Sequence, residues 1–332
     1  MRNATRRRPA RKPNGKWREE DQTTGGTEMI KSITQAFAAS LVLGVAAGTA
    51  SADAILVTTK GPGAGNPFWA AVEAGATAKA AELGVEIVIL APASESDVAR
   101  QIAIIEDQMA KGLAGLVVAP TDPNALGPII DQVKAEGIPV VFIDTLGINE
   151  GVTYIGTDNQ VGAAIAAKYL CDNVEAGSDV AILQGIITQS TGKARADGSR
   201  EGMAACGLNI VAEQTGEWDR AKGMTVMENI ITGNPNIKGV FASNDNMALG
   251  AAEALKNANM LQDVVLVGFD ANPDAAESIL AGDMSATVAQ NPYNMGALGV
   301  ESVVKLGKGE SLPAVIDTGT ILVTSENAEE FK

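Results

Sequence analysis

The sequence predicts an α/β protein made of two similar doubly wound parallel-sheet lobes, and three observations predict it. Short β-branched runs alternate with helical stretches from Ala54 onward, the alternation restarts after Tyr154-Ile155, and a single sheet holding every run would need too many strands. Composition agrees. Of the 332 residues 46% are hydrophobic, 20% are charged and 4% are aromatic, with 36 glycines, which fits an Ala/Gly/Val-rich globular α/β chain rather than a disordered or collagen-like one.

The elements follow in order. Ile55-Leu56-Val57 reads as the first strand and 67–83 as its helix, entered through Asn66 as cap and Pro67 in the first turn. Val85–Leu90 is followed by a helix over 95–111, Leu116-Val117-Val118 by one over 124–136, and Val140–Ile143 closes the first half. The second half predicts helix 159–175, strand 180–183, helix 193–206, strand 208–212, helix 219–232, strand 238–241, helix 244–258 and strand 264–267. The boundary between the halves falls near Thr157.

The amino-terminal residues stand outside this pattern. Met29–Ala52 begins with Lys31, passes through an apolar run from Ala36 to Ala47 and ends in Ala50-Ser51-Ala52, the order of a secretory signal peptide cleaved after Ala52. The apolar run is shorter than the roughly 20 residues of a membrane-spanning helix. Residues 1–28 carry Arg6-Arg7-Arg8 and almost nothing apolar, so they cannot bury a core; they read as a non-native or disordered extension with Met29 as the initiator. Removing residues 1–52 takes away nine basic and four acidic residues and leaves 16 against 36, a net charge of −20. Such a chain repels a phosphate backbone, and nucleic acid is not an expected partner. Cys171 and Cys206 remain, an even number in an oxidising compartment; a disulfide and a pair of buried thiols both stay open.

Histidine is absent, which excludes imidazole-dependent catalysis and His-ligated metal sites. Gly61, Gly63 and Gly65 follow a strand, but the spacing is not that of a dinucleotide loop, and Gly192-Lys193-Ala194 lacks the hydroxyl of a phosphate loop. No cofactor or metal is expected. In open parallel sheets ligands bind beyond the carboxyl ends of the strands. The residues there include Lys60, Asn66, Phe68 and Trp69 after the first strand and Asp144 after the fourth, then Arg195, Trp218, Asn244, Asp270 and Gln290 in the second half. Amides, carboxylates, a guanidinium and flat rings together suit a polyhydroxyl ligand, giving bidentate partners for adjacent hydroxyls and aromatic faces for C–H surfaces. Each has a blander reading: Trp69 and Trp218 as core residues, Arg195 as a surface charge. Asp144 and Asp270 also suit the acid and base of a secreted carbohydrate-active hydrolase, if their separation is right.

The same positions carry a resemblance. Asn66-Pro67-Phe68-Trp69, Pro120-Thr121-Asp122, Ile143-Asp144, Arg195 with Gly198, Trp218–Gly223, Asn244–Gly250, Gly268-Phe269-Asp270 and Ala286–Gln290, in this order, resemble the periplasmic sugar-binding proteins of the ribose/galactose type along nearly the whole mature chain. The resemblance implies the type I periplasmic binding protein fold, with three crossing strands near 157, 290 and 320. It implies one lobe of 54–157 plus 291–320 and another of 158–290 plus 321–332, closing on a sugar or sugar alcohol that is delivered to the membrane permease of an ABC importer. It implies a monomeric, non-enzymatic receptor. Asn66, Asp144, Arg195, Asn244, Asp270 and Gln290 would hydrogen-bond hydroxyls, and Phe68, Trp69 and Trp218 would sandwich the ring. A sugar-responsive repressor of this fold would need a helix-turn-helix where the signal peptide stands. Departures mark the ligand as distinct: Thr145 stands where ribose binders usually have an arginine, Ala119 where they often have an asparagine, and the first loop is lengthened by Lys60–Gly65. Ribose itself is therefore disfavoured.

Overall fold

The computed structural model describes residues 53–332; the expected signal peptide and the extension before it lie outside the described residues. The first sheet is built from β1 (Ala54–Thr58), β2 (Ile87–Leu90), β3 (Leu113–Val118), β4 (Val140–Ile143) and β5 (Thr153–Gly156), joined by a late strand, β11 (Val315–Asp317). Its order is β11-β5-β4-β3-β1-β2 and every pairing is parallel. The helices between are α1 (Pro67–Leu83), α2 (Val98–Met109) and α3 (Pro123–Ala135). The second sheet holds β6 (Asp179–Gln184), β7 (Asn209–Thr215), β8 (Gly239–Ala242) and β9 (Val265–Val267) in the order β7-β6-β8-β9, again parallel. Its helices are α4 (Asn159–Asn173), α5 (Ser190–Ala205), α6 (Arg220–Gly233), α7 (Asp245–Asn257) and α8 (Pro273–Ala281). The central strands of both sheets are buried, which is why β1, β3, β4, β6 and β8 read as nearly unbroken apolar runs.

The chain passes between the sheets three times. It does so between β5 and α4, between β10 (Thr287–Ala289) and α9 (Pro292–Gly307), and between β11 and β12 (Ile321–Val323). β10 pairs antiparallel with β12 and is bridged to the second sheet through Val267–Ala286 and Asp270–Ala289. α9 packs on α1 and on β3, β4 and β5 of the first sheet.

Most helices start where a strand has just ended, on an Asx residue whose side chain accepts a backbone N–H: Asn66, Asp97, Asp122, Asp158, Asp219, Asn244 and Asn291. Two of the expected helix starts differ from the structure by three residues, the others by at most one. The second helix begins at 98 rather than 95, because Asp97 caps Arg100 N at 3.1 Å and leaves Glu95 in the preceding loop. The helix expected from 193 begins at Ser190, so that Thr191 lies in its first turn and Gln189 at its cap position.

Cys171 and Cys206 form a disulfide that ties α4 to the carboxyl end of α5, with Cα atoms 5.9 Å apart and a sequence separation of 35. A closed loop of that length restricts the unfolded chain by roughly 3 to 4 kcal/mol in the chain-entropy account. Urea unfolding of the Cys171→Ser/Cys206→Ser double variant should show a loss of about that size. A loss under ~1 kcal/mol would mean that native packing already supplies the constraint.

Candidate functional site

All ten residues singled out from the sequence line one cleft between the sheets: Lys60, Asn66, Phe68, Trp69, Asp144, Arg195, Trp218, Asn244, Asp270 and Gln290. Glu95 and Thr191 line it with them. The sequence reading missed Glu95 and Thr191 because it had misplaced the start of each helix. Asp97 three residues before Arg100 was the signal that could have freed Glu95 from the helix.

The strand exits of the first lobe are fastened from behind. Gln101, fully buried on α2, donates to Ala119 O at 2.8 Å and Thr59 O at 3.2 Å, and its carbonyl accepts from the N–H and the hydroxyl of Thr121. The buried Tyr154 hydroxyl donates to Asp144 O at 2.7 Å and Thr157 O at 3.2 Å, and burial holds its pKa well above that of a free phenol. Asp144 itself has φ 57°, a left-handed conformation that turns its carboxylate into the cleft. There Oδ2 accepts from Thr145 Oγ1 at 2.6 Å and lies 3.1 Å from Lys60 Nζ.

In the second lobe Trp218 (φ 66°) and Asp270 (φ 125°) also hold strained backbone, each followed or preceded by another residue of positive φ. Such conformations cost about 1 to 3 kcal/mol each and concentrate where a site demands them. Trp218 lies flat against the strand exit at Gly185, where any Cβ would fall 2.1 Å from its ring; only glycine fits. The surface-charge reading of Arg195 is corrected by its burial at 3% exposure. Its Nε donates to Asn159 at 2.8 Å, Nη1 donates to Ser243 O at 2.7 Å and lies 3.5 Å from Asp270 Oδ1, and its guanidinium stacks 3.8 Å from the Phe269 ring centre. Asp270 Oδ1 also accepts from Gln290 Nε2 at 2.6 Å. Asn244 caps α7 through Met247 N and donates to Trp218 O, so it holds the tryptophan loop as well as lining the cleft.

The aromatic faces are similarly fixed. Phe68 and Trp69 meet edge to face at 4.9 Å and 85°. Trp69 Nε1 donates to Glu95 at 2.7 Å, and Trp218 Nε1 donates to Gln189 at 2.8 Å. Both tryptophans are thus core residues by burial and cleft walls by position, and the two sequence readings of them coexist.

Across the cleft Gln189 joins the lobes. Its carbonyl accepts from Lys60 Nζ at 2.9 Å, and its amide donates to Thr121 O at 3.0 Å and Glu95 O at 3.3 Å. Ser190 Oγ accepts from Leu146 N at 2.8 Å beside it. Gln189 occupies the cap position of α5 without capping it, because the oxygen that would accept a backbone N–H is taken by Lys60 and Trp218.

Burial pushes the Asp270 carboxyl up to about 7, against the opposing pull of Arg195 and the Gln290 hydrogen bond. Asp245, fully buried behind it, is raised by the same desolvation although Thr287 Oγ1 and Asn272 N donate to it.

A family profile described as a periplasmic binding protein domain matches residues 57–311. The ribose import binding protein RbsB of Escherichia coli K12 is 36% identical over 301 residues, covering 90% of this chain and 99% of that protein. The D-allose-binding periplasmic protein of the same organism is 35% identical over 259 residues, covering 75% of this chain and 83% of that protein. Among solved structures, a carbohydrate transporter solute binding protein from Agrobacterium radiobacter in complex with D-arabinose superposes with a TM-score of 0.78 at 32% identity, covering 82% of this chain and 95% of that one.

The raised Asp270 sets a direction for stability. A carboxyl whose folded pKa exceeds its unfolded value binds more protons when folded, so its contribution is fully present at low pH and is lost as pH rises toward about 7. Asp270→Asn, which mimics the protonated form, should match the wild type in urea unfolding near pH 3, below the unfolded carboxyl's own pKa, and exceed it by a margin that grows up to about pH 7. A difference that does not change with pH would show that Arg195 keeps Asp270 ionised throughout.

Proposed function

The chain belongs to the periplasmic binding protein family, and on that premise we propose that it captures a neutral sugar or sugar alcohol between its lobes and delivers it to the permease of an ABC importer. The observation that carries this reading is the convergence of hydrogen-bonding side chains and aromatic faces from both lobes on one buried cleft. Neither lobe alone offers enough partners for a polyol. Asp144 and Glu95 come from the first, Arg195, Asn244, Asp270 and Gln290 lie on the other side, and closure about the three crossings brings them together. Thr145 and Ala119 supply neither a guanidinium nor an amide to the ligand: the Thr145 hydroxyl is turned to Asp144, and Ala119 contributes its carbonyl to Gln101. This supports a ligand other than ribose.

The relatives named above are binding proteins of transport systems, and the hydrolase alternative gains nothing from them. It also fits the chemistry poorly, because Asp144 Oδ2 is already occupied by Lys60 and Thr145 rather than free to act as a base. The receptor would be a monomer without enzymatic activity or nucleic-acid partner, exported through a signal peptide cleaved after Ala52, so that mass spectrometry of the secreted protein should find Asp53 first.

A thermal-shift screen over aldoses, ketoses and alditols tests the function. A true ligand at 100 times its dissociation constant adds about 2.7 kcal/mol of stability, and Asp144→Ala should weaken its binding roughly tenfold to hundredfold, the value of a charged hydrogen bond. A shift from anionic compounds alone would overturn the polyol reading. Small-angle scattering should show a smaller radius of gyration at saturating ligand than in its absence.

A further inference from the structure

Resting on the sugar-binding reading, we infer that Gln189 and Ser190 form a latch that holds the lobes together from outside the cleft. The affinity of the receptor is then set in part by contacts that its ligand never makes. Among the described residues, every hydrogen bond that joins the lobes away from the three crossings involves Gln189, Ser190 or Thr191, at the start of α5. Of these three only Thr191 lines the cleft.

The latch engages the loops that follow four strands of the first lobe. Its partners are Lys60 after β1, Glu95 after β2, Thr121 after β3 and Leu146 after β4. A parallel sheet gathers such loops at one edge, so the start of a single helix reaches them together. The orientation of the Gln189 amide is fixed by its partners. Its oxygen accepts from Trp218 Nε1 on its own lobe and from Lys60 Nζ, which turns the nitrogen toward the Thr121 and Glu95 carbonyls. Exchanging oxygen and nitrogen would set donor against donor and acceptor against acceptor. On the receiving side Thr121 is held by Gln101, whose carbonyl accepts from its N–H and its hydroxyl. Both halves of the latch are therefore preformed, and closing orders little that the fold has not ordered already.

Opening the lobes breaks these bonds whether or not a ligand is present. Water satisfies the same groups in an open form, so the net worth of each bond is modest, but all of them bear on one equilibrium. A ligand selective for the closed form has an apparent dissociation constant equal to the intrinsic one divided by the closed fraction. Whatever raises that fraction in the free protein tightens binding by the same factor. Gln189 and Ser190 raise it, while the residues lining the cleft choose the ligand. Gln189 also orients Lys60 and Trp218; Ser190 bonds to neither and isolates the latch from the cleft.

Small-angle scattering and calorimetric titration of the exported protein test this on the wild type, Gln189→Ala and Ser190→Ala, with whichever of xylitol, D-arabinose and D-allose binds most tightly. Both variants should have a larger radius of gyration than the wild type when free and the same radius at saturating ligand. Affinity should fall about tenfold with Gln189→Ala and about threefold with Ser190→Ala, the worth of several net hydrogen bonds and of one. If Gln189→Ala loses affinity while its free radius stays that of the wild type, Gln189 acts only by orienting Trp218 and Lys60, and the latch is overturned. A Ser190→Ala protein equal to the wild type in both measurements overturns it as well, and this variant decides if Gln189→Ala fails to fold. Should no neutral polyol bind, the sugar-binding reading falls by itself, and the free radii of the three proteins still decide the latch.

Discussion

Gln189 is the contact through which the two lobes become one site. A single amide accepts from Lys60 and Trp218 and donates to the backbone carbonyls of Thr121 and Glu95, so it joins the first lobe's loops to the second lobe's aromatic wall with nothing left unpaired. Full burial makes this arrangement obligatory rather than decorative, because each unmade hydrogen bond there would cost about 1 to 3 kcal/mol. The consequence reaches back into the fold: α5 gives up its side-chain cap so that Gln189 can face across the cleft.

Around that contact, the scaffold and the site share residues. Helix caps lie in the loops that leave the strands, so Asn244, two residues after its strand, and Asn66, at the end of the lengthened first loop, each stabilise a helix while lining the cleft. Where a side chain must be aimed rather than merely placed, the backbone is strained, as at Asp144, Trp218 and Asp270. The fastenings behind them, Gln101 under the first lobe's loops and Asp245 under the Asp270 loop, hold that strain in place. Rigid walls of this kind suit a receptor whose recognition comes from the meeting of two preformed half-sites.

The electrostatics are nearly balanced inside a protein that is strongly acidic outside. Two cations and three carboxylates meet in the cleft, and one carboxyl is pushed up to about 7 by burial, which brings the enclosed charge close to neutral. That balance matches a ligand carrying hydroxyls and no charge. Lys60, from this chain's lengthened first loop, adds a charge that Glu95 and Asp144 balance.

The sequence by itself determined the fold class and ten of the twelve residues that line the cleft. Alternating apolar runs and helices force parallel sheets covered on both faces, and a parallel sheet gathers the residues after its strands at one edge, so Asn66, Asp144 and Asp270 were legible as cleft residues without coordinates. Local chemistry also exposed the Asn66-Pro67 helix start. What remained illegible depended on contacts between residues far apart in the chain. Glu95 and Gln189 are polar residues beside helix starts, and nothing local separates them from ordinary cap-flanking residues; their roles arise from partners 26 to 129 positions away. The Cys171–Cys206 pairing and the burial of Arg195 were undecided for the same reason. Lys60 shows the limit most plainly. Its sequence neighbours make it a lysine in a flexible glycine loop, and only the closing of the two lobes around it places its ammonium between two tryptophans, because that geometry is a property of the space between the sheets and not of any segment within them.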